Sequence, residues 1–123
     1  MASFDPIGAA LLDFMAGQEK ATITVQSNVA EEEPLPAKYF FRTLWEMPPL
    51  ERTALDQCRG QVLDLGAGAG AHALELQSRG LSVKAVDVSP GAVEVMQRRG
   101  VREVACHDVF ELSTRQDDTR YDT

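Results

Sequence analysis

The stretch QVLDLGAGAG, residues 61–70, constrains this chain more than any other. A short apolar run carrying one acid, Asp64, leads directly into Gly66, Gly68 and Gly70. Glycines at such spacing serve a backbone that turns tightly or that something approaches closely. In α/β proteins that place is the loop between a parallel strand and the next helix, whose free N–H groups face the crevice at the carboxyl end of the sheet. The residues that follow keep the matching rhythm. AHALELQSRG, LSVKAVDVSP, GAVEVMQRRG and VREVACHDV alternate helical and extended patterns at roughly ten-residue intervals, as βαβ units with a parallel sheet do. The pattern predicts strands at 61–65, 82–87 and 103–107 and helices at 71–79 and 90–99. Ser89-Pro90 opens the second helix as cap and first-turn proline, and Gly80 and Gly100 close the two.

Before this unit the texture differs. Asp5-Pro6 again reads as a helix start, and Leu11, Leu12, Phe14 and Met15 supply an apolar face up to Gly17. Residues 21–27, ATITVQS, alternate enough for a short strand. NVAEEEPLPA reads as a loop, with Glu31, Glu32 and Glu33 on a solvated face. KYFFRTLWEMPPLERTALDQCRG holds most of the aromatic residues and is expected to form two helical pieces, interrupted at Pro48 and Pro49 and closed by Gly60. The division that results is an N-terminal helical cap segment, 1–60, followed by an α/β unit, 61–123.

Charge narrows the choice of partners. Twelve Lys and Arg stand against nineteen Asp and Glu, a net charge of −7, with no basic stripe, so nucleic acid is not expected to bind this portion. The opening MASFDPIGAALLDFMAG has neither a basic n-region nor a long apolar run, so no secretory signal or membrane span is expected and the protein is placed in the cytoplasm. Cys58 and Cys106 lack CxxC spacing and are expected to be buried structural thiols. His72 is expected to face solvent beside the glycine loop. His107 has no second ligand at metal-binding spacing.

Two further acids carry the functional reading. Asp87 ends the strand VKAVD, 21 positions after Gly66, where an acid accepts hydrogen bonds from the hydroxyls of an adenosine ribose. Asp108 follows the third strand after another 21 positions. Gly66, Gly68 and Ala71 also satisfy the Gly-x-Gly-x-x-Gly/Ala form, which keeps open a nicotinamide or flavin dinucleotide oxidoreductase, and a non-enzymatic interaction module is a third reading. An acid at Asp64, close beside the loop, would repel a pyrophosphate.

The run Asp64-Leu65-Gly66-Ala67-Gly68-Ala69-Gly70 resembles the first motif of the class I S-adenosylmethionine-dependent methyltransferases, and the likeness covers about residues 60 to 123. The resemblance implies a Rossmann-like α/β fold, with Gly66, Ala67, Gly68 and Gly70 passing under the methionine part of the cofactor. It further places Asp64 near the amino group of the methionine, Asp87 with Val88 at the ribose, and Asp108 with the N–H of Val109 at the adenine edge. Tyr39 and Arg42, in the segment before the first strand, would cover the methionine end and pair with its carboxylate. Tyr121-Asp122-Thr123 resembles the opening of that family's fourth strand, so the chain reads as the N-terminal half of such a domain. The acceptor and the residues that act on it are then expected after Thr123. Strand order 3-2-1 would leave the first strand at an edge, and this chain is expected to self-associate there.

Overall fold

The computed structural model describes residues 5–25 and 33–107. Helix α1 spans Pro6–Met15 and strands β1, Thr22–Val25, and β2, Glu33–Pro36, follow. Two 3₁₀ turns, Ala37–Phe41 and Leu44–Glu46, lead to α2, Pro49–Asp56. The α/β unit then runs β3, Gln61–Leu65; α3, Ala71–Ser78; β4, Ser82–Asp87; α4, Pro90–Arg99; and β5, Glu103–Cys106. Its expected elements all form, to within a residue at their ends.

β3, β4 and β5 make a parallel sheet in the order β3-β4-β5. Val62 pairs with Val83 and Leu65 with Val86, while Lys84 lies opposite Glu103 and Asp87 opposite Cys106. β3 is thus an edge of this sheet, as the crossover rule predicts. One face is packed. Val62, Val83 and Ala85 meet Ala73 and Leu76 of α3, Met96 of α4 and Leu55 of α2 in a single apolar cluster. On the other face Leu65 is 46% exposed.

A second cluster fastens the N-terminal segment to the α/β unit. Ala10 and Leu11 of α1 pack on Ala92 and Val95 of α4, together with Ile23, Ala37 and Ala69. Leu11 is fully buried, so Leu11→Ala should cost about 2–5 kcal/mol. Small residues make the close approach possible: a Cβ added to Gly91 would lie 2.5 Å from Gly8 Cα, and one added to Gly8 would lie 2.7 Å from Gly91 Cα.

Several sequence expectations change. Glu33–Pro36 was expected in a loop but pairs antiparallel with β1, Ile23 opposite Leu35 and Thr22 opposite Pro36. Both prolines fit because a two-stranded ribbon offers edge positions where no N–H is required. The aromatic stretch at 37–46 forms 3₁₀ turns, not α-helix, and only the part after Pro48 continues as α2. Pro49 sits in its first turn, where a missing N–H costs nothing. Cys106 is exposed and Cys58 half-buried, against the expectation that both would be core residues. Asp108, Val109 and Tyr121 to Thr123 lie outside the described residues. No helix among the described residues is long and apolar enough to cross a membrane.

Candidate functional site

The loop after β3 has the conformation that its composition requires. Gly66, Gly68 and Gly70 all have positive φ, at 66°, 60° and 85°. Their surroundings differ, however. A Cβ on Gly66 would meet nothing within 4 Å among the described residues. On Gly68 it would come within 3.0 Å of the Phe40 ring, and on Gly70 within 3.0 Å of Met96 and Val101. Among the described residues Gly66 stands clear of the core, whereas Gly68 and Gly70 make room for it.

Backbone bonds stitch this loop to the neighbouring strand end. Ala67 N–H donates to the carbonyl of Val86 at 3.1 Å, and Gly70 N–H to that of Ala67 at 2.9 Å. Arg99 reaches from the end of α4 to donate to the Ala69 carbonyl at 2.6 Å, its guanidinium 4.8 Å from the Phe41 ring centroid. Gly70 caps α3 without any side-chain bond.

Asp87, at the end of β4, is held by two amides. Gly68 N–H donates to Oδ2 at 2.8 Å and Ser89 N–H to Oδ1 at 2.9 Å. Each carboxylate oxygen keeps lone-pair capacity, so a fixed pair of acceptors is presented beside the glycine loop. Val88, next to it, is 67% exposed.

Asp64 is in the opposite condition. Its Oδ2 is sealed from solvent and has no hydrogen-bond partner among the described residues. Burial pushes its carboxyl above the usual carboxylate range; His72 opposes this, and the charge of Asp87 adds to it. A buried acid without a donor is costly unless a cation or a donor reaches it. Asp64 lines a cavity of about 210 Å³ with Glu51, Leu55, Cys58, Val62 and His72.

Glu51 is the residue that sequence reasoning missed. It receives both ends of the Arg42 guanidinium, at 2.7 and 3.0 Å, and its Oε1 also meets His72 Nε2 at 3.1 Å. Arg42 lies 4.0 Å over the Tyr39 ring and donates its Nε–H to the Tyr39 carbonyl at 2.8 Å. The bond from Arg42 chiefly holds the Glu51 carboxyl below its ordinary range, while burial opposes it and His72 adds to it. Tyr39 and Arg42 were expected to face a ligand; in this structure Arg42 is engaged by an internal carboxylate. His72, expected to face solvent, is half-buried in the same network. In the sequence Glu51 looks like an ordinary first-turn acid after a proline, and nothing there marks partners nine positions before and 21 after it.

An αL glycine loop, an amide-pinned acid at the next strand end and a buried, unpartnered acid before the loop define a Rossmann-like protein of the class I methyltransferase fold. A profile of the methyltransferase domain family matches residues 62–123, half of the chain, and the chain belongs to that family. A SAM-dependent methyltransferase from Bacteroides fragilis, solved in complex with S-adenosyl-L-homocysteine, is 48% identical and superimposes with a TM-score of 0.76. That match covers 81% of this chain and 41% of the other, so the chain spans less than half the length of this relative. A second structure, from work on the conversion of a disulfide bond into a thioacetal group during echinomycin biosynthesis, is 35% identical over 46% of this chain and 26% of its own, with a TM-score of 0.38.

Proposed function

We propose that the protein is an S-adenosylmethionine-dependent methyltransferase and that residues 61–107, with the segment 1–60 as a cap, form part of its cofactor site. The observation that carries this reading is the contrast between two acids on adjacent parallel strands, Asp64 in β3 and Asp87 at the end of β4. Asp87 has both oxygens preset by the Gly68 and Ser89 amides, and Asp64 keeps an unpartnered buried oxygen. The first suits a ribose diol, the second an ammonium group.

When bound, the cofactor would supply a methyl group on a positively charged sulfonium. This chain's residues bind and orient it: Asp87 with Val88 at the ribose, Gly66 and Ala67 under the methionine part, and Asp64 at its amino group. Gly68 and Gly70 shape the loop, and Asp108 with the Val109 N–H are assigned to the adenine. Arg42 has five N–H donors, three of them used by Glu51 and Tyr39, so it retains two for the methionine carboxylate. In-line displacement at an activated carbon depends mostly on alignment in a dry pocket, so this half of a site needs no base of its own. Cys58 and Cys106 are free thiols, which supports a reducing compartment such as the cytoplasm.

Family membership and the match to a methyltransferase disfavour the dinucleotide reading. Calorimetry with the full-length protein tests the choice. S-adenosylhomocysteine should bind, and Asp87→Ala should weaken it by about 1–3 kcal/mol through loss of charge-assisted bonds. Binding of NAD with none of S-adenosylhomocysteine would reverse the assignment.

A further inference from the structure

Asp5, at the N-terminus of the described chain, reaches the first turn of α4. Asp5 caps α1 by accepting Gly8 N–H at 3.0 Å, and a helix cap requires no more. Its carboxylate does more. Ser89 Oγ–H is shared between both oxygens, at 2.8 and 2.9 Å, and Gly91 N–H reaches Oδ2 at 2.9 Å, across 84 and 86 residues of chain. Ser89 is 5% exposed and is the one buried polar residue of the described core. Its Oγ caps α4 by accepting Ala92 N–H at 3.1 Å, and its own N–H holds Asp87 Oδ1. Ser89 therefore stands between two carboxylates, its hydroxyl fixed by Asp5 and its amide fixing Asp87.

We propose that Asp5 is a positioning residue for Asp87: through Ser89 it sets the orientation in which the Asp87 carboxylate meets a ribose diol. The inference rests on the reading of Asp87 given above. Burial by itself would raise the Asp5 carboxyl, yet the bonds from Gly91, Ser89 and Gly8 outweigh it and keep the group ionised. An ionised Asp5 can only accept, so both donors from α4 are satisfied together. The contact between Gly8 and Gly91 removes any side chain that could hold the helices apart, so the carboxylate sits directly on the first turn of α4. Asp5→Asn keeps the size but turns an NH2 toward one of these donors, which forces the Ser89 turn to readjust.

The experiment compares S-adenosylhomocysteine with its 2′-deoxy analogue on the full-length protein. The wild type should favour the ribose form by about tenfold, the scale of one charge-assisted bond. Asp87→Ala should abolish that preference, and Asp5→Asn should remove most of it while affinity for the deoxy analogue stays nearly unchanged. A purely structural role would weaken both ligands equally. If Asp5→Asn does not fold, Ser89→Ala, which keeps the amide and loses the hydroxyl, carries the same expectation. A preference that persists in Asp5→Asn but not in Asp87→Ala overturns this inference alone. Persistence in Asp87→Ala overturns the ribose assignment as well.

Discussion

The amide of Gly68 donates to Asp87 Oδ2 at 2.8 Å while the Phe40 ring rests against the other side of the same glycine. One residue thus joins the cap segment, the loop and the acid of the next strand. The role requires a residue without a side chain twice over, because φ is +60° and because the space for a Cβ is taken.

Gly68→Val should therefore destabilise the fold itself by about 2–6 kcal/mol, from backbone strain and overpacking together. Thermal unfolding followed by circular dichroism reads the loss. Combining it with Phe40→Ala should recover the overpacking part and leave the strain. Simple additivity of the two changes would mean that Phe40 is not what Gly68 accommodates.

Asp64→Asn should act in opposite directions on the free and bound protein. The folded carboxyl titrates above its ordinary value because burial disfavours its charge, so this group's contribution to stability falls as pH rises through that raised value. Removing the charge should raise Tm at neutral pH by a few degrees for a domain of this size. With S-adenosylhomocysteine at a fixed concentration the ranking should invert, since the variant lacks the counter-charge for the ligand's ammonium. A variant less stable than wild type without ligand would contradict the buried-charge account.

The Glu51 network has the reverse pH sign. Glu51 is held below the ordinary carboxylate range, chiefly by Arg42, so the stabilisation is complete above that range and is lost as pH falls through the lowered value. Glu51 is 27% exposed, and after solvent screening Glu51→Gln should cost about 0.5–1 kcal/mol at pH 7. Chemical denaturation across pH should show the difference between variant and wild type closing toward the acid end. A difference that stays constant to pH 3 would mean that the ion pair contributes nothing.

Among the described residues β3 is an edge of the sheet, and Leu65 at its end is 46% exposed. The 123-residue chain, expressed alone, should associate through it, and light scattering should give at least a dimer. Leu63→Lys, which puts a charge on the edge strand, should shift the weight toward monomer. A wild-type chain that is monomeric at high micromolar concentration would exclude this edge as the contact.

Periodicity and punctuation made the α/β unit legible. Ser89-Pro90, the glycines at 66, 68 and 70 and the apolar runs between them act within one or two neighbouring elements, where periodicity and punctuation carry a physical signal. What escaped was set across the fold. Pro34 and Pro36 read locally as a loop, and only pairing with Thr22–Val25 makes that stretch a strand. Gly68 reads as space for a ligand until Phe40, 28 positions earlier, is seen to fill it. Arg42 reads as a free cation until Glu51 and Tyr39 close around it. Of the two acids on neighbouring strands, Asp87 could be read as the last residue of its strand, but the want of a partner at Asp64 is a property of the assembled interior.

The close approach of Gly8 and Gly91 makes the spacing of α1 and α4 a property of the main chain. A Cβ added at either glycine would come within 2.7 Å of the opposite backbone, so any side chain there would push the two helices apart. The bonds from Ser89 and Gly91 to Asp5 span that same gap, and a wider one would lengthen all of them together.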